Sequence, residues 1–274
     1  MRSNHTLSLL RSNKMAVGTW LQLGSYQVAR ILAAQGCLDW MVLDLEHTPI
    51  NPTTAHTIYA AIADISQGRC TPLARLVNGS MDQVKLALDA GTQGIIVPMV
   101  NTPQQAQDIV RYARYPPLGE RGAGGLTPHL SFGVNRSEYI QHANEEILVS
   151  VQIESTQAVD NIAEIAAVPG LDMVFIGPYD LHISLGLVGS FWSPEPAFQT
   201  AVAKVLATCQ ARSLPVGILC ADAEQAQKRY NDGFTFLGMG TDVLYLLKAY
   251  GSEAGKLREE PEPAEGWVNL VQLP

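Results

Sequence analysis

The chain has 274 residues, 47% hydrophobic and 16% charged, with a net charge of -8. That leaves ample core for one large globular domain or two small ones. The acidic balance argues against nucleic acid or an anionic membrane as the main partner. Four scattered cysteines, Cys37, Cys70, Cys209 and Cys220, form no C-x-x-C pair, so they offer neither a zinc knuckle nor a redox dithiol.

The N-terminus, "MRSNHTLSLLRSNKM", is basic and free of acids but lacks the apolar core of a secretory signal. A short leading helix is the preferred reading over a transit peptide. No apolar run is long enough to span a bilayer, and a soluble cytoplasmic protein is expected. Eight short apolar runs follow: 16–21, 39–45, 72–76, 94–99, 147–154, 173–177, 215–220 and 234–240. Strands apolar along their whole length are buried on both faces. Helix-like segments separate them. Gly36 is placed to end the first, and Ser80 is placed to cap the segment that stops at Gly91. Thr102 and Pro103 open the next, and one helix is expected from Ser155 to Pro169. Eight buried strands alternating with helices point to a (β/α)8 barrel spanning 1–258 as a single catalytic domain. An open doubly wound sheet is the alternative, weakened because no G-x-G-x-x-G follows the first run. "GERGAGG" (119–125) reads as a mobile loop. The segment 259–274, rich in Pro and Glu and then apolar, reads as a tail that is disordered or contacts a neighbouring subunit.

In such a barrel chemistry collects at the C-terminal ends of the strands. The second run ends in Asp44, Glu46 and His47, and the third in Arg75. The fifth carries Gln152 and Glu154 on one face, and the sixth runs into "GPYDLH" with Asp180 just beyond it. Singly, each has a plain structural explanation: a surface ion pair, a helix-start acid, a turn residue. Together they converge on one rim with charges of both signs, the pattern of a site. Glu154 and Asp180 on adjacent strands suit a hard divalent cation such as Mg2+. None of the six lysines ends a strand, so a Schiff-base mechanism has no candidate. His56, His129 and His142 read as structural or surface residues. Of these His129 is the most open to another role, since its loop could cover the site.

These segments resemble the HpcH/HpaI aldolase family of metal-dependent 2-oxo acid aldolases. "DLEH" is similar to its D-x-E-H signature, and "LARL" to its arginine segment. "LALDAGTQGIIVPMV" and "RYPPLGERGAGG" match two further segments, and "VQIES" and "FIGPYDL" its two metal motifs. The resemblance covers roughly residues 14 to 257. It implies a (β/α)8 barrel in a homohexamer, often with the last helix exchanged between subunits. It implies a divalent metal, Mg2+ with Mn2+ or Co2+ as substitutes, held by Glu154 and Asp180. Gln152 and the backbone at Tyr179 and Asp180 would bind the oxo acid, with Trp20 and Leu219 beside them. Arg75 would stabilise the enolate. His47 would be the base, acting through a water on the metal. Asp89 would raise its basicity across a subunit contact, with Asp44, nearer in sequence, sharing that role. Two departures stand out: Tyr179 where the family has a small residue, and His182 where it has Ser. The larger groups could reshape the pocket, and His182 is expected to pack rather than ligate.

The implied reaction is reversible cleavage of a 4-hydroxy-2-oxo acid to pyruvate and an aldehyde. Decarboxylation of oxaloacetate is the alternative, with or without addition of the enolate to another acceptor as in the related macrophomate synthase. A barrel that binds an oxo acid without turning it over is a third reading. Acceptor choice is expected to lie in loops such as 120–135.

Overall fold

A computed structural model describes residues 3–257. The elements run α1 (His5–Arg11), β1 (Ala16–Leu21), α2 (Tyr26–Gln35), β2 (Trp40–Asp44), α3 (Pro52–Ile65), β3 (Thr71–Arg75), α4 (Met81–Asp89), β4 (Gly94–Val97) and α5 (Pro103–Ala113). A 3-10 turn over Pro128–Phe132 precedes α6 (Arg136–Glu146). Then come β5 (Leu148–Ile153), α7 (Thr156–Asp160), α8 (Ile162–Ile165), β6 (Met173–Ile176), α9 (Pro178–Ser184), α10 (Pro196–Gln210), β7 (Val216–Cys220), α11 (Ala223–Asp232), β8 (Phe236–Thr241) and α12 (Asp242–Gly255). Each strand pairs in parallel with the next, and β8 returns to β1, closing the barrel. The expected (β/α)8 barrel is therefore the observed one, and the open sheet is excluded.

The apolar runs are continuous because each strand serves two cores. Alternate residues point to opposite faces. One set, including Ala16, Trp20, Trp40, Val42, Leu73, Ile96, Leu148, Met173, Phe175 and Phe236, fills the barrel interior. The other, including Leu21, Met41, Leu43, Ala74, Ile95, Val149, Val174 and Leu237, packs beneath the helices. The leading helix expected from the sequence is α1. The Asn4 side chain accepts from the Leu7 amide to cap it, and Leu7 and Leu10 join the interior cluster.

The interior parity explains where chemistry can sit. Following β1 upward through Trp20 leads to Gln22, β2 through Val42 leads to Asp44, and β3 through Leu73 leads to Arg75. On β5, Leu148, Ser150, Gln152 and Glu154 share that face. Apolar residues fill the floor and the middle of the barrel, and polar ones stand at its C-terminal mouth.

Several local readings hold and some need correction. Gly36 ends α2 at φ +69°, and Thr102, Pro103 and Gln105 form a capping box on α5. Ser80 stands at the N-cap of α4, yet its side chain makes no capping hydrogen bond. The single helix expected over 155–169 is broken at Asn161, whose backbone leaves the helical region. The Asn161 side-chain Nδ2 donates to the Asn101 carbonyl at 2.7 Å, a bond to another part of the chain. The segment 119–125 carries no regular structure, but Arg121 anchors it. That side chain is buried, donating to the Tyr139 hydroxyl at 2.9 Å and meeting Asp89 at 3.3 Å. The tail reading for 259–274 lies outside the described residues.

Candidate active site

At the barrel mouth a pocket is lined by residues from β1, β3, β5, β6, β7 and β8 and from α9 and the connection after it. Six of the ten residues expected at the site line it: Trp20, Arg75, Gln152, Tyr179, Asp180 and Leu219.

Arg75 is fixed from two sides. Its Nε donates to Asp44 Oδ1 at 2.9 Å and its Nη2 to Asp44 Oδ2 at 2.6 Å, a bidentate pair. Its Nη1 lies 3.3 Å from Glu46 Oε2, and its guanidinium sits 4.6 Å over the Trp20 ring. Asp44 is fully buried. Burial alone would raise its pKa, but the hydrogen bonds and charge of Arg75 outweigh it and hold the carboxyl below its ordinary value. Asp44 Oδ2 also accepts from Gln22 Nε2, and Oδ1 from the backbone amides of Glu46 and His47. This corrects the reading of Asp44 as a partner of the His47 ring. Its carboxylate is spent on Arg75, and it meets His47 only at the main chain. The nearest acid to the imidazole is Glu46, with Oε2 3.7 Å from Nε2. The His47 side chain stands on the rim, 59% exposed.

Asp89, the second acid assigned to His47, sits at the C-terminal end of α4. Within this chain its carboxylate pairs with Arg121 and its carbonyl accepts from the Thr127 hydroxyl. Its expected reach to His47 across a subunit contact concerns a neighbouring copy.

Glu154 is buried just past the end of β5. Oε1 accepts from the Met99 amide at 2.7 Å, and Oε2 accepts from Gln152 Nε2. Met99 presents that amide from a left-handed backbone, φ +53°, which a non-glycine residue adopts at a cost. Burial pushes the Glu154 pKa up to about 7, and the charge of nearby Asp180 adds to the rise. The pKa of Glu46 is also raised, by burial first and then by Asp44 and Asp180 against the opposing pull of Arg75 and His47. Three acids thus share one mouth. Gly177 makes room for the Glu154 carboxylate, since a Cβ there would collide with Glu154 Oε2. Gln152 Oε1 and Trp20 Nε1 are buried without a hydrogen-bond partner among the described residues.

These features fit a hard divalent cation. Repulsion between Glu154 and Asp180 is what a cation relieves, and the unpaired polar atoms suit a small polar ligand. Among the described residues no group of three or more His, Cys, Asp or Glu is assembled to hold a metal ion. Two carboxylates at the rim of a pocket are instead a donor set suited to a hard divalent cation, which completes its shell with water and substrate oxygens.

His182 is fully buried and packs, as expected of it. Its ring stacks on Phe198 at 3.9 Å, with Nδ1 2.6 Å from the Pro178 carbonyl and Nε2 2.8 Å from Ser193 Oγ. The pocket also contains Gln22, Phe175, Phe191 and Thr241, which the sequence reading passed over. Gln22 and Phe175 carried a signal, because each lies two residues from a strand position already assigned to the interior. Phe191 carried none: it comes from the irregular connection between α9 and α10. The 120–135 segment, expected to govern acceptor choice, contributes no lining residue to this pocket.

Residues 16–249 match the family model described as HpcH/HpaI aldolase/citrate lyase. The chain is 40% identical over 235 residues to a hydroxypyruvate/pyruvate aldolase of Chromohalobacter salexigens, covering 85% of this chain and 89% of the relative. It is 37% identical over 247 residues to a 4-hydroxy-2-oxo-heptane-1,7-dioate aldolase of Shigella sonnei, covering 90% and 92%. Among solved structures it superimposes on a HpcH/HpaI aldolase/citrate lyase family protein of Burkholderia cenocepacia with a TM-score of 0.86 and 35% identity, covering 93% of this chain and all of that one. With the family model spanning nearly the whole barrel and the strand-end residues gathered at its mouth, the chain belongs to the HpcH/HpaI aldolase/citrate lyase family.

Proposed function

We propose that this protein is a metal-dependent (class II) aldolase that reversibly cleaves a 4-hydroxy-2-oxo acid to pyruvate and an aldehyde. The observation that carries the reading is Arg75, clamped by buried Asp44 at the mouth where Glu154 and Asp180 converge. A guanidinium held in advance stabilises charge that develops on an enolate oxygen without reorganising at the moment of reaction. Mg2+, with Mn2+ or Co2+ as substitutes, held by Glu154 and Asp180 would supply Lewis-acid polarisation of the oxo-acid carbonyl. Gln152 and the main chain at Tyr179 and Asp180 orient the oxo acid, and Trp20 and Leu219 bound it. His47, exposed on the rim, takes the C4 hydroxyl proton in the cleavage direction. In place of a distant acid, Glu46 is the group beside its ring in this chain.

A homohexamer is part of the proposal. Only Asp242 of α12 is buried, while Tyr245, Leu246, Leu247 and Tyr250 are exposed, an apolar face that a neighbouring copy would cover. No helix among the described residues is long and apolar enough to cross a membrane, in keeping with the proposed cytoplasmic location.

Two assays test the roles: cleavage of a 4-hydroxy-2-oxo acid and decarboxylation of oxaloacetate. Both pass through the enolate, so Arg75→Ala should depress both by about 10²–10³-fold. His47→Ala should depress cleavage far more than decarboxylation, because decarboxylation removes no hydroxyl proton. Equal damage to both with metal affinity unchanged would remove the proton-transfer role from His47. A wild-type enzyme that only decarboxylates would replace the aldolase reading with the oxaloacetate decarboxylase one.

A further inference from the structure

The connection 185–195 after α9 is held against the pocket by side chains that the proposed chemistry leaves unused. Tyr179 and His182 lie three apart on α9, on neighbouring positions of one helix face. The Tyr179 ring lies edge-on to Phe191, centroids 5.7 Å apart. It passes so close to Gly189 that a Cβ there would strike the ring. His182, with Nδ1 at the Pro178 carbonyl, turns Nε2 to the Ser193 hydroxyl at 2.8 Å. Farther along, Ser190 Oγ donates to the Trp192 carbonyl and accepts from its amide. The Trp192 ring sits 3.4 Å from the Arg229 guanidinium carbon. The connection is thus pinned at Gly189, Ser190, Trp192 and Ser193, and the residue in their midst, Phe191, is 9% exposed and lines the pocket.

The walls divide by chemistry. Arg75, Gln152 and Asp180 form the polar side that the oxo acid uses. The Tyr179 ring and Phe191 form an apolar side with no reacting partner yet assigned. Charge sharpens the division. Arg75 is the one cationic residue among those lining the pocket, and its guanidinium is already engaged by Asp44 and Glu46.

Resting on the aldolase reading, we propose that Phe191, positioned by Tyr179 and His182, is the acceptor-specificity wall, and that it selects uncharged apolar aldehydes, aromatic or branched, over aldehydes ending in a carboxylate. An apolar acceptor exchanges water for aromatic surface. Against that wall a carboxylate finds no charge partner among the described lining residues, since Arg75 is engaged by Asp44 and Glu46, and an unpaired charge in a pocket is heavily penalised. His182 is a positioning residue, acting only through Ser193 and the connection that carries Phe191.

The test uses the full-length enzyme with Mg2+ and pyruvate, and compares benzaldehyde and isobutyraldehyde with succinic semialdehyde. The readout is the ratio of kcat/KM for the neutral over the carboxylated aldehyde. Wild type should favour the neutral aldehydes by tenfold or more. Phe191→Ala should collapse that ratio at least fivefold, chiefly through KM of the neutral aldehyde. His182→Ala should move the ratio the same way, and Ser193→Ala should reproduce the effect of His182→Ala. A wild-type preference for succinic semialdehyde, or a ratio unmoved in Phe191→Ala, would overturn the proposal. Hydrogen–deuterium exchange at the pyruvate methyl separates this from failure of the aldolase reading: exchange without the expected ratio sinks the specificity wall alone. No exchange and no aldol product with any aldehyde sinks both.

Discussion

Asp44 and Glu154 are both buried carboxylates at the barrel mouth, and their environments drive them in opposite directions. Asp44 has a cation in bidentate contact and is held ionised. Glu154 is pushed up to about 7 by burial, with the charge of Asp180 adding to the rise. The sign of the consequence for stability follows. A carboxyl whose folded pKa is raised binds more protons in the folded state than in the unfolded state between its ordinary value of 4.5 and about 7. Stability of the metal-free protein therefore falls across that window as pH rises, by roughly 3 kcal/mol from this group at full effect. In chelator, Glu154→Gln should remove that slope, and thermal melts at pH 5 and pH 8 would read it. A melting temperature of the variant that still drops like wild type would locate the titration elsewhere. Asp44→Ala should act in the other direction. It leaves the Arg75 guanidinium buried without its bidentate partner, which typically costs about 3–5 kcal/mol. Denaturant unfolding should show that loss, and decarboxylation should fall together with aldol cleavage because Arg75 loses its aim.

Among the elements, α1 shows how a short segment earns its place. It is seven residues long, too short to be stable alone. It is held by the Asn4 cap and by long-range bonds: Asn4 Nδ2 donates to the Gln93 and Glu146 carbonyls, and the Thr6 hydroxyl donates to the Asp39 carbonyl. Leu7 and Leu10 then seal the apolar interior at its lower end. Leu7→Ala should cost about 2–5 kcal/mol by leaving a cavity in that cluster, with kcat unchanged because the mouth is at the opposite end of the strands. A fall in kcat at a temperature where the variant is fully folded would show that floor and mouth are coupled. α9 makes the complementary point. It carries Asp180 toward the proposed metal and turns Tyr179 and His182 toward the next connection, so one turn of helix serves two walls of the pocket.

For the whole molecule, the prediction concerns metal and assembly. Chelation should abolish aldol activity and Mg2+, Mn2+ or Co2+ should restore it. Borohydride added with pyruvate should leave the enzyme active, since no lysine lines the described pocket. A covalent adduct on a lysine, read by mass spectrometry, would contradict this. Light scattering on a sizing column should report a hexamer, and Leu246→Glu with Leu247→Glu should reduce it to smaller species. A variant that keeps the wild-type mass would free the α12 face of any role in assembly.

The sequence by itself determined the barrel and most of its mouth. Strands buried on both faces must be apolar throughout, so a polar residue at a strand end is conspicuous, and period-two parity assigns it to the interior. Asp44, Arg75, Gln152 and Glu154 were legible for that reason, and Gln22 would have been by the same count from Trp20. Helix ends were legible where caps are local, as at Thr102 and Gly36, and failed at Asn161, whose side chain chose a partner 60 residues away. Tertiary structure alone decided which acid faces which base. Asp44 adjoins His47 in sequence, yet the strand pairing of β2 with β3 sets it beside Arg75, and a guanidinium in bidentate reach outcompetes an imidazole on the rim. It alone placed Phe191 as well. Irregular backbone has no period to read, and while the contacts from α9 are close in sequence, the Arg229 guanidinium that pins Trp192 comes from α11, which meets the connection only once the chain has folded.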